Sequence, residues 1–268
     1  MTRLTETLYR PLGNTGIKVS PLGLGTVKFG RNTGVRYPEA FTLPDDRQLR
    51  ALIALAKDLG INLIDTAPAY GQSEERLGRL LAGQRRDWII STKVGESFVD
   101  GHSIYNFSAL ETIASVENSL QKLQTDYLDI VLVHSDGHDI DIVENTEVLQ
   151  TLSRLKEKGL IRCFGLSGKS LTGGLAALAL SDLAMVTFNS EEREEEGVID
   201  EAFRTHKGIL IKKALASGHT ASPQNALKLA IGKKGVSSVI IGTISPKHLE
   251  DNVRHAAVAC QSFPGDSN

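Results

Sequence analysis

The sequence predicts an α/β protein that folds as a single (β/α)8, or TIM, barrel with a short N-terminal β-hairpin. Three observations predict this fold: short β-rich runs alternate with helix-like segments, several runs are almost wholly apolar, and 268 residues suit eight strand–helix units. Continuous apolar strands are typical of a parallel sheet that is covered on both faces. Because no linker or low-complexity tract interrupts the pattern, we expect residues 1–268 to form one domain.

Eight runs are candidates for the barrel strands, and most of them end in a polar residue after an apolar stretch. They are Leu22–Gly25, Leu63–Asp65, Trp88–Lys93, Leu128–His134, Ile161–Ser167, Met185–Phe188, Gly208–Lys212 and Ser238–Ile241. Two shorter segments precede them, Leu8–Leu12 and Ile17–Ser20, with Asn-Thr-Gly between them. Turn residues between two short β-rich segments predict the N-terminal hairpin.

The predicted helices have recognisable boundaries. Asp45 lies at the start of the segment that Gly60 ends, as an N-terminal cap and a C-terminal glycine do. Ser73 is followed by two glutamates, so we expect it to cap the next helix. The acidic run Glu191–Glu196 is expected to be a solvated loop.

Composition excludes several classes of function. With 30 Lys and Arg against 32 Asp and Glu, the net charge of −2 gives no broad basic face for nucleic acid. No apolar run approaches the roughly 18 residues of a membrane span, and the first residues lack the apolar stretch of a signal peptide. Cys163 and Cys260 are far apart, which suits a reducing compartment. We therefore expect a cytoplasmic protein that binds a small molecule and needs no membrane, nucleic acid or obligate protein partner.

Candidate catalytic residues stand where the strands end, because a β/α barrel carries its active site at the carboxyl ends of its strands. The second strand ends in Asp65, the third in Lys93 and the fourth in His134. A charge at the end of an apolar strand is costly to bury unless it is paired or functional. Tyr70 follows in the loop after Asp65, within reach of the same mouth. These four residues predict a catalytic cluster.

The chemistry of this cluster follows from proximity. A buried Lys93 needs a counter-charge, and Asp65 on the neighbouring strand supplies it. A cation beside the phenol is expected to lower the pKa of Tyr70 from its usual value of about 10, so that it protonates a developing alkoxide. His134 would hydrogen-bond the same oxygen. A proton donor aimed at a carbonyl, with no nucleophile evident, indicates reduction or proton abstraction, and reduction requires a hydride carrier.

Three segments carry a specific resemblance. IDTAPAYGQSEERLG, STKVG and LDIVLVHSD resemble the bacterial branches of the aldo-keto reductase superfamily, and the likeness runs from RPLGNTGIKVSPLGLGT to GTISPKHLEDNVRHA. The resemblance implies a catalytic tetrad in which Tyr70 is the acid/base, Lys93 and Asp65 tune it, and His134 orients the carbonyl. It also implies NADPH as the cofactor, with NADH as the alternative, and an aldehyde or ketone as the substrate.

The same resemblance assigns residues to the cofactor, at strand ends and on the last helix. They are Gly25, Thr26, Asp65, Ser167, Asn189, Lys212, Gly242, Thr243, His248 and Asn252. Ser167 and Asn189 would hold the nicotinamide carboxamide, and Lys212 stands where many members have a ring-stacking tyrosine. The adenosine end, from Gly242 to Asn252, has less positive charge than many NADPH-specific members, which weakens the expected preference for NADPH.

The two loops at 27–43 and 94–107 are the candidate walls of the substrate pocket. Their aromatic residues are candidate lining groups, namely Phe29, Tyr37, Phe98 and Tyr105. Two other functions stay open beside the reductase. One is a metal-dependent hydrolase barrel, whose ligands would come from His102 and the segment His134–Asp139. The other is a barrel that binds a nucleotide without turnover.

Overall fold

The structure is a computed structural model that describes residues 2–262, and it contains a closed barrel of eight parallel strands. In chain order the strands are β1 Arg10–Pro11, β2 Lys18–Val19, β3 Leu22–Gly25, β4 Leu63–Asp65, β5 Ile89–Val94, β6 Glu96–Val99, β7 His102–Tyr105, β8 Leu128–His134, β9 Ile161–Ser167, β10 Leu183–Thr187, β11 Gly208–Lys212 and β12 Ser238–Gly242. Around the barrel the order is β3-β4-β5-β8-β9-β10-β11-β12, with β12 paired to β3. The predicted fold class is confirmed, while Met1 and 263–268 of the expected single domain lie outside the described residues.

The predicted strand boundaries agree closely with the observed ones. Five of the eight predicted strands coincide with β3, β4, β8, β9 and β11, while β5 differs by one residue at both ends and β12 by one residue at its end. The largest difference is at β10, which begins at Leu183 rather than Met185 and ends at Thr187. Leu183 and Ala184 belong to the strand because they pair with Gly165 and Leu166 of β9. Such pairing depends on the neighbouring strand, which local sequence does not show.

The N-terminal hairpin closes one end of the barrel. Its strands β1 and β2 pair antiparallel, as predicted. Leu12, Ile17 and Val19 are buried in one apolar cluster with interior residues of the barrel, among them Leu63 and Cys163. Cys163 is therefore a small core residue of β9. Because this end is filled by the hairpin, a ligand site is left to the opposite end, where the strands have their carboxyl termini.

Helices surround the barrel and bury their apolar faces against the outside of its strands. They are α1 Val27–Gly30, α2 Asp46–Asp58, α3 Ser73–Leu80, α4 Ala109–Leu123, α5 Asp139–Asn145, α6 Val148–Glu157, α7 Leu171–Leu180, α8 Glu196–Arg204, α9 Pro223–Gly232 and α10 Pro246–Ser262. Short 3₁₀ turns cover Glu6–Leu8, Pro68–Tyr70, Arg85–Asp87 and Ala216–Gly218. Each fully buried leucine or isoleucine of this layer contributes about 1.5–3 kcal/mol. Within residues 2–262, no helix is long and apolar enough to cross a membrane.

The helix starts follow the predicted capping at α2 but not at α3. Asp45 caps α2 and forms a reciprocal capping box with Gln48. The prediction that Ser73 caps α3 is wrong, because Ser73 is the first residue of the helix and is fully buried. Its hydroxyl donates to Thr26 Oγ1 at 2.8 Å and accepts from Thr66 Oγ1 at 3.0 Å. The side chain therefore joins the ends of β3 and β4 instead of capping a helix.

The acidic run Glu191–Glu196 is only in part the solvated loop that was expected. Glu195 is 3% exposed, and its Oε2 accepts a hydrogen bond of 2.8 Å from the backbone N–H of Thr187. Burial raises the pKa of Glu195, although Lys212 at the end of β11 works against that rise. Glu196 already belongs to α8. A run of like charges in the sequence thus conceals one carboxyl group that is buried under the end of β10.

Candidate active site

The predicted catalytic residues lie at one end of the barrel. Asp65 ends β4, Lys93 is the penultimate residue of β5 and His134 ends β8, three strands that are neighbours in the barrel. Tyr70 ends the 3₁₀ turn that follows β4. The parallel register brings Asp65 opposite Ser91 of β5 and His134 opposite Ser167 of β9. The structure therefore brings all four predicted residues together at the mouth opposite the hairpin.

A buried ion pair forms the base of the site. Lys93 Nζ donates to both carboxylate oxygens of Asp65, at 2.9 and 2.8 Å, and to the carbonyl of Thr66 at 2.8 Å. The two side chains are 2% and 4% exposed. Ser91 Oγ donates a further hydrogen bond of 2.9 Å to Asp65. These three hydrogen bonds hold Lys93 in one position although it is out of water.

Tyr70 is placed over this ion pair by two glycines. Lys93 Nζ lies 4.8 Å from the centroid of the Tyr70 ring. The turn that carries Tyr70 packs on α1, where a Cβ added at Gly30 would lie 2.3 Å from the carbonyl oxygen of Tyr70. Gly71 follows with φ +61°, and a Cβ there would lie 2.3 Å from the carbonyl oxygen of Gly30. Only glycine permits this approach of two backbones, which sets the position of the phenol.

Burial governs the ionisation of Tyr70. It raises the pKa of the phenol above its usual value of 10, and Asp65 adds to the rise, while Lys93 acts in the opposite direction. The expectation that Lys93 leaves Tyr70 more acidic than an ordinary tyrosine is therefore wrong in its net effect, because loss of water outweighs an ammonium already neutralised by Asp65. Tyr70 consequently keeps its proton at neutral pH, as a proton donor must.

His134 has a close partner that the sequence did not reveal. The edge of its ring meets the ring of Tyr70, with centroids 6.3 Å apart and planes at 86°. Its Nδ1 lies 2.5 Å from Oε2 of Glu96, the first residue of β6. Burial lowers the pKa of His134 despite Glu96, which raises it. Glu96 follows Lys93 by three residues, just beyond the third barrel strand, and that proximity was the only available signal.

The residues expected around the nicotinamide contact one another. Lys212 Nζ donates to Ser167 Oγ at 3.2 Å and to the carbonyl of Gly168. Burial lowers the pKa of Lys212 to about 8. Asn189 uses its whole carboxamide locally, since Oδ1 accepts two backbone N–H groups of its own loop and Nδ2 donates to the carbonyl of Lys213 and to a glutamate. Ser167 and Lys212 face the mouth as a pair, whereas Asn189 has no free donor for a carboxamide.

The residues expected near the rest of the cofactor follow the ends of β3 and β12. Gly25 pairs with both Asp65 and Gly242, so these strand ends are level. Thr26 is fully buried and donates to the carbonyl of Asp65 at 2.9 Å. The others surround the start of α10: Thr243 and Asn252 are buried, at 6% and 7% exposure, and His248 is exposed. The Asn252 carboxamide makes no hydrogen bond to any residue within 2–262.

The predicted pocket walls contain more regular structure than expected. The loop at 94–107 is a hairpin of β6 and β7, and the loop at 27–43 begins with α1. The guanidinium of Arg31 joins the two walls by stacking 3.4 Å from the centroid of the Phe98 ring. Tyr105 is 37% exposed, but Phe29 is fully buried in the apolar core, so its assignment to the pocket is wrong. Tyr37 lies across Gly242, with its hydroxyl 2.9 Å from where a Cβ would be.

A cavity of about 460 Å³ lies next to the hairpin wall. Its lining includes Tyr105, Phe107 and Asp136, and none of the four predicted catalytic residues. The chemistry of the tetrad is therefore placed at the strand ends, outside this cavity.

The residues expected to bind metal in a hydrolase do not form one cluster, although His138 Nδ1 lies 3.3 Å from Oδ1 of Asp136. His102 lies in β7, where its Nδ1 contacts the carbonyl of Asp100 at 2.8 Å. Asp139 accepts hydrogen bonds from Ser170 and from the backbone N–H of Lys169, at the start of α7. Among the residues that the structure describes, no three His, Cys, Asp or Glu side chains form a metal-binding group. The geometry therefore gives the hydrolase alternative no ligand set.

Known proteins resemble this chain in both sequence and fold. The sequence profile of the Aldo/keto reductase family matches residues 21–218. A solved Pseudomonas aeruginosa protein assigned to the aldo-keto reductases is 56% identical, with a TM-score of 0.90 over 96% of this chain and 97% of its own. Aldo-keto reductase YhdN of Bacillus subtilis is 35% identical over 78% of this chain, which spans 62% of that protein. L-galactose dehydrogenase of Arabidopsis thaliana is 29% identical over 93% of this chain and 88% of its own length. The chain therefore belongs to the aldo/keto reductase family, whose members are NAD(P)H-dependent oxidoreductases of carbonyl and alcohol groups.

Proposed function

We propose that the protein reduces an aldehyde or ketone to an alcohol, with hydride from NAD(P)H and a proton from Tyr70. The observation that carries the proposal is the convergence of Asp65, Lys93, Tyr70 and His134 at the open end of the barrel. When bound, a reduced nicotinamide dinucleotide supplies the hydride that the carbonyl carbon accepts. The residues of this chain supply the proton and the electrostatic environment.

The tetrad completes the reduction at the carbonyl oxygen. That oxygen takes the electron pair of the C=O π bond as the carbon is reduced, and Tyr70 then gives its hydroxyl proton to the oxygen to form the alcohol. Lys93, 4.8 Å from the ring, stabilises the phenolate that is left, and Asp65 fixes Lys93 through two hydrogen bonds. His134, when its ring is protonated, donates a hydrogen bond to the same oxygen and orients it toward Tyr70. This division of work needs no nucleophile from the protein.

The structure offers groups that suit a dinucleotide. The accessible carboxamide of Asn252, which pairs with no described residue, is a donor and acceptor for an adenine. Ser167 and Lys212 offer a hydroxyl and an ammonium for the nicotinamide end, and we retain Gly25 and Thr26 as contacts there. We retain Gly242, Thr243 and His248 as contacts at the adenosine end. We do not retain Asn189, because its hydrogen bonds are used in its own loop.

We propose that the cofactor site discriminates weakly between NADPH and NADH. Lys247 and Arg254, the basic residues of α10 nearest to His248, both form ion pairs with Asp251. Their charge is thus partly neutralised before any 2′-phosphate binds. We expect dissociation constants for NADPH and NADH within a hundredfold of each other. A larger preference for NADPH, measured by fluorescence titration, would contradict this proposal.

The test of the function is a pair of tyrosine variants. Tyr70→Phe removes the proton donor, and Tyr127→Phe is its matched control because Tyr127 stacks with Arg85, remote from the tetrad. We expect wild type and Tyr127→Phe to oxidise NADPH or NADH with a panel of aldehydes and aldoses, and Tyr70→Phe to lose at least ~10²-fold in kcat/KM while binding the cofactor normally. Full activity of Tyr70→Phe would refute the assignment. Tight cofactor binding by the wild type with no turnover on any member of the panel would favour the non-catalytic barrel.

A further inference from the structure

Glu96 and His134 lie in close contact at the edge of the site. Nδ1 and Oε2 are 2.5 Å apart, a distance at which two lone pairs would repel. The Glu96 side chain is 8% exposed, and its other oxygen, Oε1, accepts a hydrogen bond of 2.6 Å from Ser103 Oγ on β7. The contact is not an aligned hydrogen bond, because Nδ1 of His134 is buried without a hydrogen-bond partner of good geometry among the described residues.

The proton belongs to the imidazole rather than to the carboxyl. Burial works to raise the pKa of Glu96, but the close contact with His134 and its positive charge, the hydrogen bond from Ser103 and the charge of Arg31 together bring it to about 2. Because Glu96 also accepts a hydrogen bond from Ser103 and lies near Arg31, its surroundings favour the carboxylate, and we assign the hydrogen between the two groups to Nδ1. Since a neutral imidazole has only one N–H, Nε2 then presents a lone pair. Nε2 makes no hydrogen bond within the described part of the chain, and the side chain is 22% exposed.

We propose that Glu96 is a positioning residue: it holds the proton of His134 on Nδ1, so that Nε2 accepts a hydrogen bond when the ring is neutral and donates one only when the ring is protonated. The inference rests on the proposed function. Reduction and alcohol oxidation then require opposite protonation states of the His134 ring. A carbonyl oxygen needs a donor, which the imidazolium supplies, and an alcohol hydroxyl needs an acceptor, which the neutral ring supplies. Acidic solution therefore favours reduction, and neutral or alkaline solution favours alcohol oxidation.

Other charged groups face the same ring and set where it titrates. Lys93 on β5 and Lys212 on β11 oppose a second positive charge, and they act with burial to keep the pKa of His134 below its usual value. Glu96 on β6 is the one that favours the imidazolium. Tyr70, on the turn after β4, keeps its proton because burial raises its pKa. No inflection from Tyr70 is therefore expected between pH 5 and pH 8.

The first experiment needs no activity. Long-range ¹H–¹⁵N NMR spectra of the protein labelled on its seven histidines report which ring nitrogen carries hydrogen, and His134→Asn identifies the signal of His134. At neutral pH we expect a protonated Nδ1 and an unprotonated Nε2. We expect Glu96→Gln to abolish that preference, and Glu117→Gln, an exposed matched control on α4, to leave it unchanged. A protonated Nε2 in the neutral wild-type ring would overturn the proposal.

The second experiment is the pH profile of kcat/KM for carbonyl reduction. We expect the wild-type rate to rise toward acidic pH with the protonation of His134, and Glu96→Gln to displace that rise by about 1–3 pH units to lower pH, because a neighbouring carboxylate is lost. A purely structural role would lower the rate equally at every pH. An unchanged inflection in an active Glu96→Gln variant overturns the inference and leaves the proposed function intact. A wild type with no reductase activity contradicts the proposed function, and the NMR experiment still decides the role of Glu96.

Discussion

Replacing Lys93 by methionine tests how strongly the buried ion pair supports the site. Methionine has nearly the shape of the lysine stem but removes three hydrogen bonds and leaves the Asp65 carboxylate buried without a cation. Breaking a buried ion pair from one side costs about 3–5 kcal/mol. For a chain of this size, 1 kcal/mol corresponds to about 2–4 °C in the melting temperature. We therefore expect Lys93→Met to melt roughly 6–20 °C below the wild type in a thermal unfolding scan at pH 7.5.

The double variant Lys93→Met with Asp65→Asn separates stability from activity. It removes both charges, so we expect it to melt well above Lys93→Met although it carries one more substitution. Its reductase activity should stay as low as that of the single variant, because nothing stabilises the Tyr70 phenolate. If Lys93→Met melts within 2 °C of the wild type, or if the double variant shows the sum of both single losses, the ion pair does not support the structure as argued.

Three further variants test other parts of the site. Gly30→Ala should displace Tyr70 and lower kcat more than it lowers cofactor affinity, because its Cβ would meet the Tyr70 carbonyl, and an unchanged kcat would contradict this. The pKa of Lys212 is about 8, so its ammonium, which repels a cationic nicotinamide ring, is largely lost at pH 9. Oxidised dinucleotide should therefore bind more tightly at pH 9 than at pH 7 in a fluorescence titration, and Lys212→Met should remove that pH dependence. Ser73→Ala should lower the free energy of unfolding by about 1–3 kcal/mol, because it leaves two buried threonine hydroxyls without their partner. The cap variant Ser108→Ala should lower it by about 1 kcal/mol in the same urea unfolding experiment, and the reverse order would refute the bridging role of Ser73.

The catalytic cluster could be predicted from the sequence because barrel geometry turns strand ends into neighbours. Asp65, Lys93 and His134 are 28 and 41 residues apart along the chain, yet each closes an apolar run, and parallel strands place such positions on one rim. Glu96 could not be assigned in the same way. Its role depends on how the β6–β7 hairpin is folded, because that fold brings Glu96 to His134 at the end of β8. The sequence of an exposed hairpin does not show which barrel strand the hairpin will contact.

Local patterns were least informative where a side chain is buried by a partner distant in sequence. Ser73 has the sequence of a helix cap but bridges two threonines, and Glu195 belongs to a charged run but lies under β10. Phe29 was expected in the pocket and is in the core. In each case the packing of another element decides the outcome, and composition does not report that packing.

The sequence by itself determined the alternating order of strands and helices, the closed parallel barrel and the four residues at its mouth, because hydrophobic periodicity and chain connectivity are local properties that restrict topology strongly. Only the tertiary structure decided the protonation of those residues. The pKa of Tyr70 rises rather than falls because burial outweighs a lysine that Asp65 has already neutralised, and the proton of His134 is directed by Glu96. Ionisation depends on the water and the charges within a few ångströms of a group, and these are set by the packing of the whole chain.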